Sequence, residues 1–190
     1  MRIILASKSP RRREILSALG RELGFEFDII VRETDETLSG EYPFCGVEEL
    51  AIRKGAPLAE EFADALVISS DTLVELDGTA LGKPTDREDA IRMLKSLRGR
   101  SHNVHTGIAV HVGGRLFSGV ASTAVHFGNI PDEQIKKYVD SGEPMDKAGA
   151  YGIQGYAGNF VTGYDGDFDT VVGLSTNLLK KLLSDCGFIK

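Results

Sequence analysis

The chain has 190 residues, 42% hydrophobic and 26% charged, a balance that suits one globular domain over residues 1–190 with a core of its own. With 28 acidic against 22 basic residues and a formal net charge of -6, the balance argues against a broad nucleic-acid footprint, which needs a basic face, so an anionic ligand must meet a local cluster of cations. No apolar run approaches the roughly 18 residues of a membrane span and the first residues are too short for a secretory signal; with Cys45 and Cys186 at neither metal nor redox spacing, a cytoplasmic chain with reduced thiols is expected.

RIILA (2–6) has the pattern of a short buried strand. Ser9 then stands as N-cap and Pro10 as first residue of a helix with Ile15, Leu16 and Leu19 inward, which Gly20 is expected to close. FEFDIIV (25–31) alternates as a strand, and residues 32–46 have the acidic, Gly and Pro content of a long surface loop. A helix is predicted over 47–63 and a strand over 66–76, turned by Asp77 and Gly78, a strong hairpin signal. Thr85 and Glu88 have capping-box spacing ahead of a helix with Ala90, Ile91, Leu94 and Leu97 on one face. Residues 105–127 form a long hairpin around Gly113 and Gly114, a helix follows from Pro131 to Val139, then a Gly-rich segment (148–173) and a C-terminal helix carrying Leu178, Leu179, Leu182 and Leu183. This alternation, without repeats or linkers, predicts an α/β fold.

Three consecutive arginines, Arg11 to Arg13, follow the first strand at a helix start, where they oppose the dipole unless an anion is present; the plain alternative is a solvated first turn with incidental arginines. Arg11 and Arg12 offer guanidinium forks to phosphate oxygens, while Arg13 points elsewhere because successive helix residues diverge by about 100°. Asp71 lies in an otherwise apolar strand, which makes it a metal ligand, a general base or a strand-end cap. Lys83, between Gly82 and Pro84, is a point charge for phosphate or a plain surface lysine, and Lys54 borders the buried side of its helix, where many lysines only snorkel. Asp35 and Glu36 offer hard oxygens to Mg²⁺ or form a solvated acidic loop. His102 and His105 fall on opposite faces of a strand, which argues against a shared metal. Gln154, among four glycines in 146–161, reads the polar edge of a base or satisfies its own backbone.

Taken in order, LASKSPRRREIL, SSDTLVELDG, LGKP, GRSHNVHTGIAV, EPMDKAGAYGIQG and VVGL resemble the successive motifs of the Maf nucleoside triphosphate pyrophosphatases, the septum-formation inhibitor family. The resemblance implies a Maf/ITPase-like mixed twisted sheet with flanking helices, a homodimer, and cleavage between the α and β phosphates with Mg²⁺ or another divalent metal such as Mn²⁺ or Co²⁺. By motif match, Asp71 corresponds to the proton acceptor, and Arg11, Thr72 and Gln154 to base-selecting positions. Ser7, Arg12, Lys54 and Lys83 correspond to phosphate-site positions, and Asp35 with Glu36 to an acidic pair near the metal that Asp71 also meets. The Asp71-Thr72 pair with Gln154 is similar to the dTTP/UTP branch, with modified pyrimidine nucleotides as further expected substrates. Ser70 stands where the family more often has alanine. The alternative expectation is a nucleotide-binding regulator of cell division acting through protein partners; a general phosphatase is a third.

Overall fold

The structure, a computed structural model, describes residues 1–34 and 43–190, with side chains from Gly46 onward in the second stretch. β1 (Ile3–Leu5) is buried throughout, and α1 (Pro10–Leu23) starts as expected: Ser9 has extended backbone, its hydroxyl accepts from the Arg12 amide, and Pro10 fills the first turn. Gly20 does not close this helix. A Cβ there would come within 2.7 Å of the Phe25 carbonyl, so glycine lets the returning chain cross closely; the stop is Gly24, left-handed at φ 77°. The predicted strand 25–31 shrinks to β2 (Asp28–Ile29), because Phe25 and Phe27 turn into the core instead of extending the ladder.

α2 (Pro43–Glu61) begins earlier than the predicted residue 47, shortening the expected loop. β3 (Leu66–Leu76) and β4 (Thr79–Leu81) are joined through Asp77 and Gly78, both at positive φ (52° and 79°), the conformation that matches strand twist. α3 (Arg87–Leu97) is capped by Asp86, which accepts from the Asp89 amide, one residue later than the Thr85 and Glu88 frame; the Thr85 amide instead donates to the Asp89 carboxylate. The long hairpin comprises β5 (Ser101–Val112), which starts before the predicted His105, and β6 (Arg115–Phe127), turned at Gly113 and Gly114. α4 (Asp132–Asp140) leads into three short 3-10 turns between Glu143 and Phe160. The Gly-rich segment also holds β7 (Val161–Asp165) and α5 (Phe168–Val172), and α6 (Thr176–Asp185), capped by Ser175, ends the fold.

The strands form one mixed sheet in the order β2-β1-β3-β5-β6-β7, with β4 on β3; β1 runs parallel to β2 and β3, and the other pairs are antiparallel. Residues of β3 alternate between faces. Leu66 and Ile68 pack with Leu16 and Leu19 of α1 and Leu179 and Leu182 of α6, whereas Val67 packs with Leu58 of α2. Further along, Val74 and Leu76 join Leu94 and Leu97 of α3 and Ile135 of α4 in a separate core. The middle of β3, Ser70 to Thr72, therefore runs between two packed cores, and there a cleft opens. No helix among the described residues is long and apolar enough to cross a membrane.

The second core contains an imidazole. His102 is 3% exposed, its Nε2 lies 2.7 Å from the Tyr151 hydroxyl, and its ring is edge-on to Phe127. Burial, helped by the nearby His126, pushes its pKa from 6.5 down to about 4. The unfolded chain thus binds this proton more readily than the folded one. The stability contributed by the neutral ring is complete above pH 6.5 and is lost as the pH falls toward 4. At about pH 4.5 wild type should have lost ~2.5 kcal/mol that His102→Gln does not lose, read as the difference between their urea midpoints at pH 7.5 and 4.5.

Candidate active site

The cleft is a cavity of about 820 Å³, within the range of small-molecule sites, bounded by the start of α1, the middle of β3, Lys83 after β4 and the 143–155 segment. Its centre is an ion pair. Asp71 projects from β3 toward α2, where Lys54 Nζ donates to its Oδ1 at 2.6 Å, with the two side chains 15% and 19% exposed. Asp71 Oδ2 accepts from none of the described residues.

The sequence brings this pair together through glycine. Gly107 of β5 is directly across from Asp71, and a Cβ there would be 2.3 Å from the Val47 carbonyl oxygen of α2. One helical stretch further, a Cβ at Gly55 would meet Ser69 Oγ at 2.6 Å and His111 at 2.7 Å. α2 thus lies on the sheet at backbone distance on both sides of Lys54, which lets a lysine that would otherwise snorkel reach the β3 carboxylate.

Arg12 turns into the molecule. Its Nε donates to the Gly173 carbonyl (2.8 Å), Nη1 to the Ser70 carbonyl (2.7 Å) and Nη2 to Thr72 Oγ1 (3.0 Å). Ser70 Oγ donates to the same Gly173 oxygen at 2.8 Å, while Thr72 Oγ1 is 3.0 Å from Thr106 Oγ1, which donates to the Thr170 carbonyl. Both neighbours of Asp71 are therefore held by a network that runs from half-buried Arg12 and Thr72 to buried Ser70 and Thr106. Arg12, expected to contact phosphate, lines the cavity with a guanidinium already bonded to the chain.

Arg11, Lys83, Thr72 and Gln154 also line the cavity, whereas Arg13 is exposed outside it. Ser7 is not on its wall: it is 6% exposed and its hydroxyl accepts from the Ser9 amide, shaping the entry to α1. Asp35 and Glu36 lie outside the described residues. Among the described residues no group of three His, Cys, Asp or Glu side chains could hold a metal.

Sequence reasoning missed Lys8, Glu143, Asp146 and Lys147, all on the cavity wall. Lys147 Nζ donates to the Glu143 carbonyl (2.5 Å) and to Asp146 Oδ1 (2.7 Å). That hydrogen bond, with a contribution from Arg11, holds the Asp146 carboxyl below its usual range. For Glu143, Asp146 and Lys147 the one signal was position, in the EPMDK run just ahead of the glycines; Lys8 stands in the loop between the first strand and the first helix. The wall carries six cationic side chains against three carboxylates, so a chain of net charge -6 concentrates positive charge where an anion would enter.

A mixed α/β sheet with a nucleotide-sized, cation-lined cleft over a strand carboxylate defines the class of this protein. The family model described as Maf-like protein matches residues 2–186, and the chain belongs to that family. It is 43% identical over 187 residues to the dTTP/UTP pyrophosphatase of Symbiobacterium thermophilum, covering 98% of this chain and 94% of that one. It is 46% identical over 186 residues to the protein of the same description from Shewanella denitrificans, covering 95% and 94%. Among solved structures, a HAM1 protein from Coxiella burnetii matches all of both chains at TM-score 0.58 and 16% identity, a likeness of fold alone.

Proposed function

We propose that this chain is a one-domain nucleoside triphosphate pyrophosphatase that hydrolyses dTTP and UTP to the monophosphate and pyrophosphate. The observation that carries the reading is the Lys54 and Asp71 pair, 2.6 Å apart, at the floor of a cavity walled by cations. Relatives described as dTTP/UTP pyrophosphatases, at 43% to 46% identity over nearly the whole chain, support the same substrate class.

Asp71 accepts a proton from the water whose oxygen bonds to the α phosphorus; the bond from that phosphorus to the bridging oxygen breaks, and pyrophosphate leaves toward the cations. Lys54 orients the carboxylate while adding positive charge beside the phosphates. Arg11, Lys83 and Arg12 complete the phosphate site, Arg12 also by fixing both neighbours of Asp71, and Ser7 contributes through the shape of the loop. Thr72 and Gln154, with Arg11, select the base.

The donor set fits a hard divalent cation. Mg²⁺ typically takes one or two carboxylates and completes its shell with substrate phosphates and water, so the second Asp71 oxygen, which accepts from none of the described residues, suits it without a protein cage. Asp71, with Asp35 and Glu36, would hold Mg²⁺, Mn²⁺ or Co²⁺, which would neutralise charge on the phosphates and polarise them. Action in the cytoplasm as a homodimer completes the proposal.

The test is product identity from dTTP and Mg²⁺. Pyrophosphate and dTMP in equal amounts are expected. Orthophosphate as the sole phosphorus product would make the chain a general phosphatase, and tight binding without turnover would make it a nucleotide-sensing regulator.

A further inference from the structure

The glycines on either side of Gln154 need an explanation. Gly155 donates its amide to the Gly152 carbonyl at 3.1 Å, closing a turn with Ile153 and Gln154 at its two central positions. Gly155 has φ -94°, a conformation open to any residue, so backbone strain does not demand glycine there. Side chains do. A Cβ at 155 would lie 1.9 Å from Glu143 Oε1, and one at 152 would lie 2.8 Å from Lys147 Cε. The turn is wrapped onto these two side chains.

Glu143 is itself fixed. Its Oε1 accepts from the Tyr138 hydroxyl at 3.3 Å, and Tyr138, 1% exposed, is anchored in the core of α3 and α4. Tyr156, the residue after the turn, stacks on the same Tyr138 ring at 5.9 Å. Lys147 locks the base of the arrangement by donating to the Glu143 carbonyl.

We infer that Glu143 is a positioning residue for base selection: its carboxylate, held by Tyr138, is the post on which the 152–155 turn sets Gln154 against the cleft. The inference rests on the reading of Gln154 as a base-selecting side chain. Thymine and uracil present an N3 donor where cytosine presents an acceptor, so a shift of the reading amide by a fraction of its hydrogen-bond length weakens exactly that discrimination while leaving the phosphate end untouched.

The experiment compares kcat and KM for dTTP and dCTP in wild type, Glu143→Ala, Glu143→Gln and Gly155→Ala. Removing the post should reduce the dTTP to dCTP preference in kcat/KM by about tenfold or more, through KM, with kcat for dTTP within about threefold of wild type. Glu143→Gln keeps an acceptor for Tyr138 and should retain most of the preference; Gly155→Ala, which forces the turn and the carboxylate apart, should behave like Glu143→Ala. If Glu143→Ala does not fold, Gly155→Ala carries the same thresholds. An unchanged preference in a folded variant overturns the inference, as does an equal loss of kcat with both nucleotides. Wild type that releases no pyrophosphate overturns the proposed activity instead; the inference is then read from binding of non-hydrolysable dTTP and dCTP analogues, with the same loss of preference required.

Discussion

Replacing Asp71 by Asn is expected to lower the rate of pyrophosphate release from dTTP by about 10²- to 10⁴-fold, the usual contribution of a positioned proton acceptor. Asparagine preserves the shape of the side chain and cannot take the proton. The loss should fall on kcat. KM should change little, because the loss of a negative charge that repels the polyanion is offset by a weaker hold on the divalent cation that Asp71 is proposed to share. Steady-state pyrophosphate release at saturating dTTP and Mg²⁺ checks this, with circular dichroism to confirm the fold. A variant that retains kcat within about threefold removes Asp71 from the chemistry.

A methyl group at position 107 should do comparable damage by a different route. The Gly107→Ala Cβ would be placed 2.3 Å from the Val47 carbonyl oxygen and 2.9 Å from the Glu48 Cα, backbone atoms with no rotamer to yield. α2 must then lift from the sheet beside Asp71. The expected cost is about 2 to 3 kcal/mol, or roughly 4 to 12 °C in Tm, with at least a tenfold fall in kcat/KM as Lys54 is carried away from its partner. Gly163→Ala is the control: its Cβ would meet only His126 Cδ2, at an ordinary 3.6 Å, so its stability should stay within about 0.5 kcal/mol of wild type. Equal behaviour of the two variants would show that the close seat of α2 does not matter.

Much of this architecture was legible because it is written in local signals. Ser9 and Pro10 mark the start of α1, Asp77 and Gly78 mark a tight turn, and leucine spacing marks α6. The motif resemblance pointed to Arg11, Lys54, Asp71, Lys83 and Gln154, and the fold gathers all five on one cavity wall. What escaped was decided by distant partners. Arg11 and Arg12 are indistinguishable along the chain until the Ser70 carbonyl claims one of them. Ser7 reads as a ligand residue, yet its hydroxyl is taken by the next turn. Gly107 gives no hint in its neighbours that a helix backbone will rest on it. The segment from 148 to 173 hid β7 and α5 because each has only 5 residues and follows short 3-10 turns, too little chain to display the period of a strand or a helix.

The Arg12 bond to the Gly173 carbonyl joins groups 161 residues apart, and the Ser70 bond to the same oxygen spans 103. During synthesis the first strand and its arginines leave the ribosome long before the acceptor that orients them has been translated. The clasp around Asp71 therefore cannot close until Gly173 has been made. A product shortened at its C-terminus before Gly173 should be inert, not feebly active, because the acceptor that orients Arg12 and Ser70 is missing from it.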